Sequence, residues 1–197
     1  MSALITNMID LRIEQLSFTE QFDVFTNVYP NATEVKEHLT QIITQEGDKQ
    51  YRKTNVQANM TSWDMYSNEH FIPIIDWVIE TLKQGDTPSS PKQTTKLYCV
   101  DCWGASYKTG DYTNQHAHWP SQWSFIYYVD ACPKCAPLVF PGAGKAIKPN
   151  TGLVIIFPGP ISHSVPKHEC DHNRICIAGN IAYELDKAHP KEIAENT

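Results

Sequence analysis

Apolar side chains along this chain keep two different periods, and the change from one to the other falls near residue 91. Before it, two stretches repeat at helical spacing. Asn31-Ala-Thr-Glu34 has the form of a helix start, with Asn31 as cap and Glu34 placed to return the bond. Val35, Leu39, Ile42 and Ile43 then share one face until Gly47. A second helix is predicted from about Ser67 to Gln84, with Phe71, Ile74, Ile75, Val78, Ile79 and Leu82 on one side. Pro73 falls in its first turn and Gly85 follows it. Ahead of both, Leu11, Ile13, Phe22, Val24, Phe25, Val28 and Tyr29 alternate and predict one or two strands, while 48–62 is polar and reads as irregular.

Asp86-Thr-Pro-Ser-Ser-Pro91 is the clearest linker. Beyond it the period drops to two. Short apolar runs parted by Gly, Pro and Asn predict strands at Lys96–Tyr107, Tyr112–His118, Ser124–Val129, Leu138–Phe140, two within 145–158, one from near His163 and one at Arg174–Ile181. Two helices followed by about eight short strands suit a mainly β fold with flanking helices. The expected form is a double-stranded β-helix, or jelly roll, with the N-terminal helices packed on one sheet. Residues 1–91 form a supporting region, 92–185 the double-stranded β-helix core and 186–197 a polar tail, all in one integrated domain.

Composition narrows the classes. The 197 residues are 41% hydrophobic and 19% charged, the balance of a globular chain rather than a disordered one. A net charge of −6 and a pI near 5.7 argue against a nucleic-acid backbone as main partner. No run has the length of a membrane span and the N-terminus lacks a basic-then-apolar signal pattern, so a soluble, cytoplasmic protein is expected.

The candidate chemistry begins at His116-Ala-His118. On a strand, residues two apart point to one face, so both imidazoles converge on one point. A third histidine, His163, follows the apolar run Gly152–Pro158, and Arg174 opens the strand Ile175-Cys-Ile-Ala178. In a jelly roll the turn after the His116 strand and the turn before the His163 strand share one end, so the three rings meet there.

This order of parts resembles the iron(II)/2-oxoglutarate-dependent oxygenases, in particular their prolyl-hydroxylase-like branch. The resemblance covers residues 94–183 and rests on His116-x-His118, the strand with Tyr127-Tyr128, Gly152-Leu-Val-Ile-Ile-Phe-Pro running on to His163, and the strand opened by Arg174. The family pattern is His-x-Asp/Glu, a distant His, then Arg or Lys. Here His118 stands in the carboxylate's place, and Cys176 where the family often has Ser or Thr.

The resemblance implies a non-haem dioxygenase of hydroxylase type. His116, His118 and His163 would hold Fe(II), leaving positions for 2-oxoglutarate and O₂. Arg174 would fork onto the far carboxylate of 2-oxoglutarate. Tyr128 would donate its hydroxyl to that carboxylate, with Tyr107 as a second candidate. Oxidative decarboxylation would give succinate while a peptide or small-molecule substrate is oxidised. Trp119 and Trp123 flank the mouth, as pocket lining or as cover. Two other readings stay open. Gly110-x5-His116-x-His118 also matches the first half of a cupin metal motif, which would make a three-histidine dioxygenase or isomerase without 2-oxoglutarate. A metal-binding jelly roll without catalysis is the other.

Six cysteines without an export signal read as thiols or metal ligands. Cys99 and Cys102 lie within a predicted strand, on opposite faces by its period, and read as core residues. Cys132-Pro-Lys-Cys135 has the spelling of a zinc knuckle in a loop. The loop His168-Glu-Cys170-Asp-His172 falls at the same end of a jelly roll, opposite the histidine mouth. Cys132, Cys135, Cys170 and either His168 or His172 are therefore expected to form a closed structural zinc site that fixes the start of the Arg174 strand.

Overall fold

Side chains alternate in direction along the long strands, and in this chain both directions are buried. The computed structural model describes residues 21–47, 54–85 and 96–184. Its elements, in order, are β1 (Phe25–Val28), α1 (Ala32–Gly47), β2 (Val56–Gln57), β3 (Asn59–Met60), α2 (Ile72–Gln84), β4 (Leu97–Tyr107), β5 (Tyr112–His116), β6 (Trp123–Asp130), β7 (Leu138–Phe140), β8 (Lys145–Ile147), β9 (Leu153–Pro158), β10 (His163–Val165) and β11 (Arg174–Tyr183). A six-stranded sheet has the order β1-β9-β6-β11-β4-β3 and a five-stranded sheet the order β2-β5-β10-β7-β8. The pairs are antiparallel, and the two sheets face each other as a jelly roll.

Alternation on β6 and β11 divides the apolar residues between two cores. Phe125, Tyr127, Val129, Ile175 and Ile177 face the helices, where Leu39 and Ile43 of α1 and Ile74, Val78 and Leu82 of α2 cover them. Ile126, Tyr128 and Cys176 face the opposite way, between the sheets, with Trp103, Ala105, Tyr107, Ile155 and Phe157. The large sheet is thus buried on both faces, which is why its strands read as unbroken apolar runs. At Gly104 the contact with α1 is so close that a Cβ would strike the Ile43 side chain. Strands from the N-terminal region also enter the sheets: β1 pairs with β9, β2 with β5 and β3 with β4.

The structure departs from the sequence pattern at a few points. α2 begins at Ile72, later than expected, because the Asn68 side-chain oxygen accepts the His70 N–H at 2.9 Å. With Asn68 extended, that local bond separates a short 3₁₀ turn, Met65–Ser67, from the helix proper. β2 and β3 lie in the stretch expected to be irregular, and at two residues each they carry no readable period. The Cys99 and Cys102 side chains do not point to opposite faces. A bulge opposite Asn180 and Ile181 skips Val100 and turns both thiols to the helix-side core. Trp123 also lies in that core, 6% exposed, and not at the mouth. The strand expected around Leu11 and Ile13, the linker 86–91 and the tail 186–197 lie outside the described residues. Among the described residues no helix is long and apolar enough to cross a membrane.

Candidate active site

β5 ends on His116 and β10 begins on His163, and the two are register partners in the five-stranded sheet. Antiparallel pairing sets their rings side by side, with centroids 4.4 Å apart. His118 lies just beyond β5, in a turn fixed at both ends: its N–H donates to the Gly159 carbonyl (2.8 Å) and its own carbonyl accepts the Ser121 N–H (2.8 Å). Its ring is 4.8 Å from that of His116 and 5.1 Å from that of His163. One nitrogen from each of the three lies within 4.8 Å of the others, close enough to share an ion.

The hydrogen bonds around the rings set their tautomers. His116 Nδ1 donates to the Asn114 carbonyl at 2.8 Å and His163 Nδ1 to the Ile161 carbonyl at 3.0 Å. Each leaves Nε2 with a free lone pair, the arrangement typical of a metal ligand. Burial holds His116 below the usual imidazole range and brings His163 down to about 4. Burial, with the His163 and His116 rings beside it, brings His118 down to about 3. All three are therefore neutral at physiological pH, as ligation requires.

His118 differs in its partner. Its Nδ1 lies 3.3 Å from the Asn180 amide nitrogen. That amide is oriented by two further bonds: Ser124 Oγ donates to Asn180 Oδ1 (2.7 Å) and Asn180 Nδ2 donates to Asp101 Oδ1 (2.7 Å). Burial raises the Asp101 carboxyl, an effect partly offset by the Asn180 amide.

Arg174 opens β11 opposite Tyr107 of β4 and is 0% exposed. Its guanidinium stacks on the rings of Tyr107 (4.6 Å) and Tyr128 (4.9 Å). Nη2 donates to the Tyr128 hydroxyl and Nη1 to Cys176 Sγ, both at 3.4 Å, while Nε is buried without a partner. Among the described residues no carboxylate forms an ion pair with it. Burial raises the Tyr128 hydroxyl and pushes that of Tyr107 up to about 12, so both keep their protons. Arg174, Tyr107 and Cys176 line the same cavity as His116, His118 and His163.

No protein-family model and no curated protein sequence matches the chain. Solved structures do match it. The viral collagen prolyl hydroxylase vCPH from Paramecium Bursaria Chlorella virus-1, in its 2OG complex, superposes with a TM-score of 0.61 at 17% identity over 80% of this chain and 94% of that one. HygX from Streptomyces hygroscopicus, with nickel, 2-oxoglutarate and hygromycin B bound, gives 0.60 at 8% identity over 83% of each chain. A Trichoplax adhaerens prolyl hydroxylase bound to a hypoxia-inducible-factor peptide gives 0.56 at 16% identity over 89% of this chain and 87% of that one. The chain shares the jelly-roll fold of these proteins.

A groove of about 580 Å³ runs from His116 and His118 past Asp101, Asn180 and three tryptophans. Trp119 is 79% exposed at its rim, and Trp63 and Trp103 stand 5.9 Å apart along its wall. Sequence reasoning missed Trp63, Trp103, Asn180, Asp101 and Thr113, whose hydroxyl bonds the Tyr107 hydroxyl at 2.7 Å inside the cavity. Asn180 and Ser124 did carry a signal: each is a polar residue at a buried position of an otherwise apolar strand.

At the far end, Cys132, Cys135 and Cys170 come together, with sulfurs within 4.8 Å of one another. Neither expected histidine joins them. The buried His168 spends both ring nitrogens on backbone, Nδ1 accepting the Ala136 N–H and Nε2 donating to the His172 carbonyl. His172 turns its Nε2 to Asp130 Oδ1 at 2.9 Å.

Proposed function

We propose that the chain is a non-haem iron(II)/2-oxoglutarate-dependent oxygenase of hydroxylase type. One observation carries the reading: a fully buried guanidinium, with no carboxylate partner among the described residues, opens onto the cavity that three neutral imidazoles line. Burying such a charge costs several kcal/mol, and two ring contacts of about 1–2 kcal/mol each do not offset that comfortably. A dianionic ligand with one end at Arg174 and the other at the imidazoles does.

His116 and His163 present lone pairs for Fe(II) and His118 is the third donor. When bound, iron and 2-oxoglutarate supply the oxidising chemistry, consuming O₂ and releasing CO₂ and succinate. The chain's own groups do the rest. Arg174 and the Tyr128 hydroxyl hold the far carboxylate. Phe157, Ile126, Leu138 and Val165 wall the cavity with apolar surface and keep it dry. The groove between Trp63, Trp103 and Trp119 admits the substrate, a peptide or a small molecule, beside His118. A three-histidine cupin needs no buried cation of this kind.

The test is 2-oxoglutarate turnover. Protein loaded with Fe(II) is expected to convert 2-oxoglutarate to succinate slowly even without its primary substrate. If metal-loaded protein neither binds 2-oxoglutarate nor forms succinate, the reading is wrong.

A further inference from the structure

The cysteine group at the opposite end of the barrel is separate chemistry. The β6–β7 loop turns sharply, with Cys135 N–H on the Cys132 carbonyl (2.9 Å), and brings both thiols to one side. The loop between β10 and β11 delivers Cys170 from the other side. Cys132 Sγ is 3.6 Å from Cys135 Sγ and 3.6 Å from Cys170 Sγ. Zinc–sulfur bonds of about 2.3 Å at the tetrahedral angle place two sulfurs about 3.8 Å apart, so the spacing fits a shared ion with little adjustment.

Backbone donors are turned onto these sulfurs. The Lys134 and Cys135 N–H groups face Cys132 Sγ, and the Cys132 N–H reaches Cys135 Sγ at 3.4 Å. Backbone donors turned onto cysteine sulfurs help to hold negative charge that a metal then neutralises. Cys135 is only 2% exposed, so its sulfur is inside the structure rather than at the surface. A disulfide would join Cys132 to one neighbour and leave the other idle, although both stand at the same distance.

We propose that Cys132, Cys135 and Cys170 hold one zinc ion through their three sulfurs, with the fourth position taken by water or a small thiol. Soft thiolate donors select zinc over the ferrous iron of the imidazole site. On binding, the thiols give their protons to solvent and the sulfurs take the metal. The ion ties the β6–β7 loop to the segment that leads into Arg174, four residues beyond Cys170. The open fourth position makes it reactive to added thiols and chelators, unlike a closed four-ligand site.

The experiment uses the full chain purified without chelator and reconstituted with zinc under reducing conditions. The imidazole site also accepts zinc, so the count is read in the His116→Ala/His163→Ala double variant, where that site is disabled. Elemental analysis is expected to find close to one zinc per chain in the double variant and in the same variant carrying Cys99→Ser. Adding Cys132→Ser, Cys135→Ser or Cys170→Ser should in each case abolish it. Should those variants fail to fold, X-ray absorption at the zinc edge of the double variant decides: three sulfur scatterers and one lighter one are expected. A double variant that takes up no zinc overturns the proposal. So does a zinc shell of nitrogen and oxygen alone in that variant, or a disulfide at Cys132 in the freshly purified protein. None of these outcomes depends on 2-oxoglutarate turnover, so the two proposals fail separately.

Discussion

Asn180 Nδ2 stands 3.3 Å from His118 Nδ1 and has only hydrogen to offer it. Its amide cannot turn over, because Nδ2 also donates to the Asp101 carboxylate, which accepts only. His118 therefore carries its proton on Nε2 in the metal-free chain, the reverse of His116 and His163. Metal at that nitrogen requires the proton to leave and the Asn180 contact to yield, which makes His118 the weak ligand. His116→Ala and His163→Ala are expected to cost ~100-fold in Mn(II) affinity, and His118→Ala about tenfold. His118→Asp, which restores the family's carboxylate, should bind more tightly than His118→Ala. Equilibrium dialysis of the variants checks the order; equal losses at the three positions would show that the Asn180 bond sets no difference.

Arg174 gives a prediction of opposite signs in stability and binding. Removing a charge buried without an anion relieves its desolvation cost, so Arg174→Met is expected to melt at or above the wild-type temperature in the absence of ligand. The same change leaves the far carboxylate of 2-oxoglutarate without its cation, a loss of ~100-fold in affinity. Mn(II) binding should be unchanged. Calorimetric titration and thermal melts on the same preparations separate the three quantities.

Tyr128 and Tyr107 both stack on the guanidinium, but their hydroxyls differ. The Tyr107 hydroxyl has a second partner in the Thr113 hydroxyl at 2.7 Å, whichever of the two donates, whereas the Tyr128 hydroxyl accepts from Arg174 and keeps its own hydrogen to donate. Tyr128→Phe is expected to weaken 2-oxoglutarate binding about tenfold, the size of one hydrogen bond to a charged group. Tyr107→Phe should change it less than about threefold by the same measure. A larger effect at Tyr107 would reassign the donor.

Much of the core was legible because its chemistry is periodic. The long strands β4, β6, β9 and β11 are apolar runs over buried faces, and the turn residues around them are punctuated by Gly and Pro, so their bounds could be read within a few residues. His116, His163 and Arg174 were legible for a related reason: each sits at the end of an apolar run. What stayed hidden depends on contacts between distant segments. The bulge at Val100 is a feature of the β4–β11 pairing, and nothing in Cys99-Val-Asp-Cys102 announces it. Trp63 reaches the groove because its carbonyl accepts the Cys102 N–H, a bond no local pattern encodes. His168 looked like a ligand by spacing, and only the fold shows both its nitrogens engaged with backbone.

The neutral imidazoles make the metal-free protein acid-sensitive in a defined window. His118 and His163 titrate at about 3 and about 4 when folded, against about 6.5 in the unfolded chain. Between those limits the unfolded chain binds more protons, so stability rises with pH across the window and falls on acidification below about 6.5. Chelator-treated protein should therefore melt at a steadily lower temperature from pH 7 to pH 4.5, and His118→Gln should flatten the slope. Identical slopes in the two proteins would mean that His118 is not held neutral by the fold.

Gly159 tests the turn that carries His118. A Cβ there would run into the Ser121 carbonyl oxygen and lie 3.2 Å from the His118 carbonyl oxygen. Neither obstacle is a flexible side chain, and both belong to a turn that Gly159 itself ties down: its N–H donates to the Gln122 carbonyl (2.9 Å) and its carbonyl accepts the His118 N–H (2.8 Å). Gly159→Ala must push the 118–121 turn away and take the His118 ring with it. The expected cost is about 1–3 kcal/mol in stability, as for overpacking elsewhere. The functional loss should resemble that of His118→Ala, with the His116–His163 pair and the Arg174 pocket intact. Gly142→Ala, where an added Cβ meets nothing within 4 Å, is the control and should be silent. Denaturant unfolding together with Mn(II) and 2-oxoglutarate titrations distinguishes the outcomes: if Gly159→Ala lowers stability but leaves metal affinity at the wild-type value, the turn does not position His118.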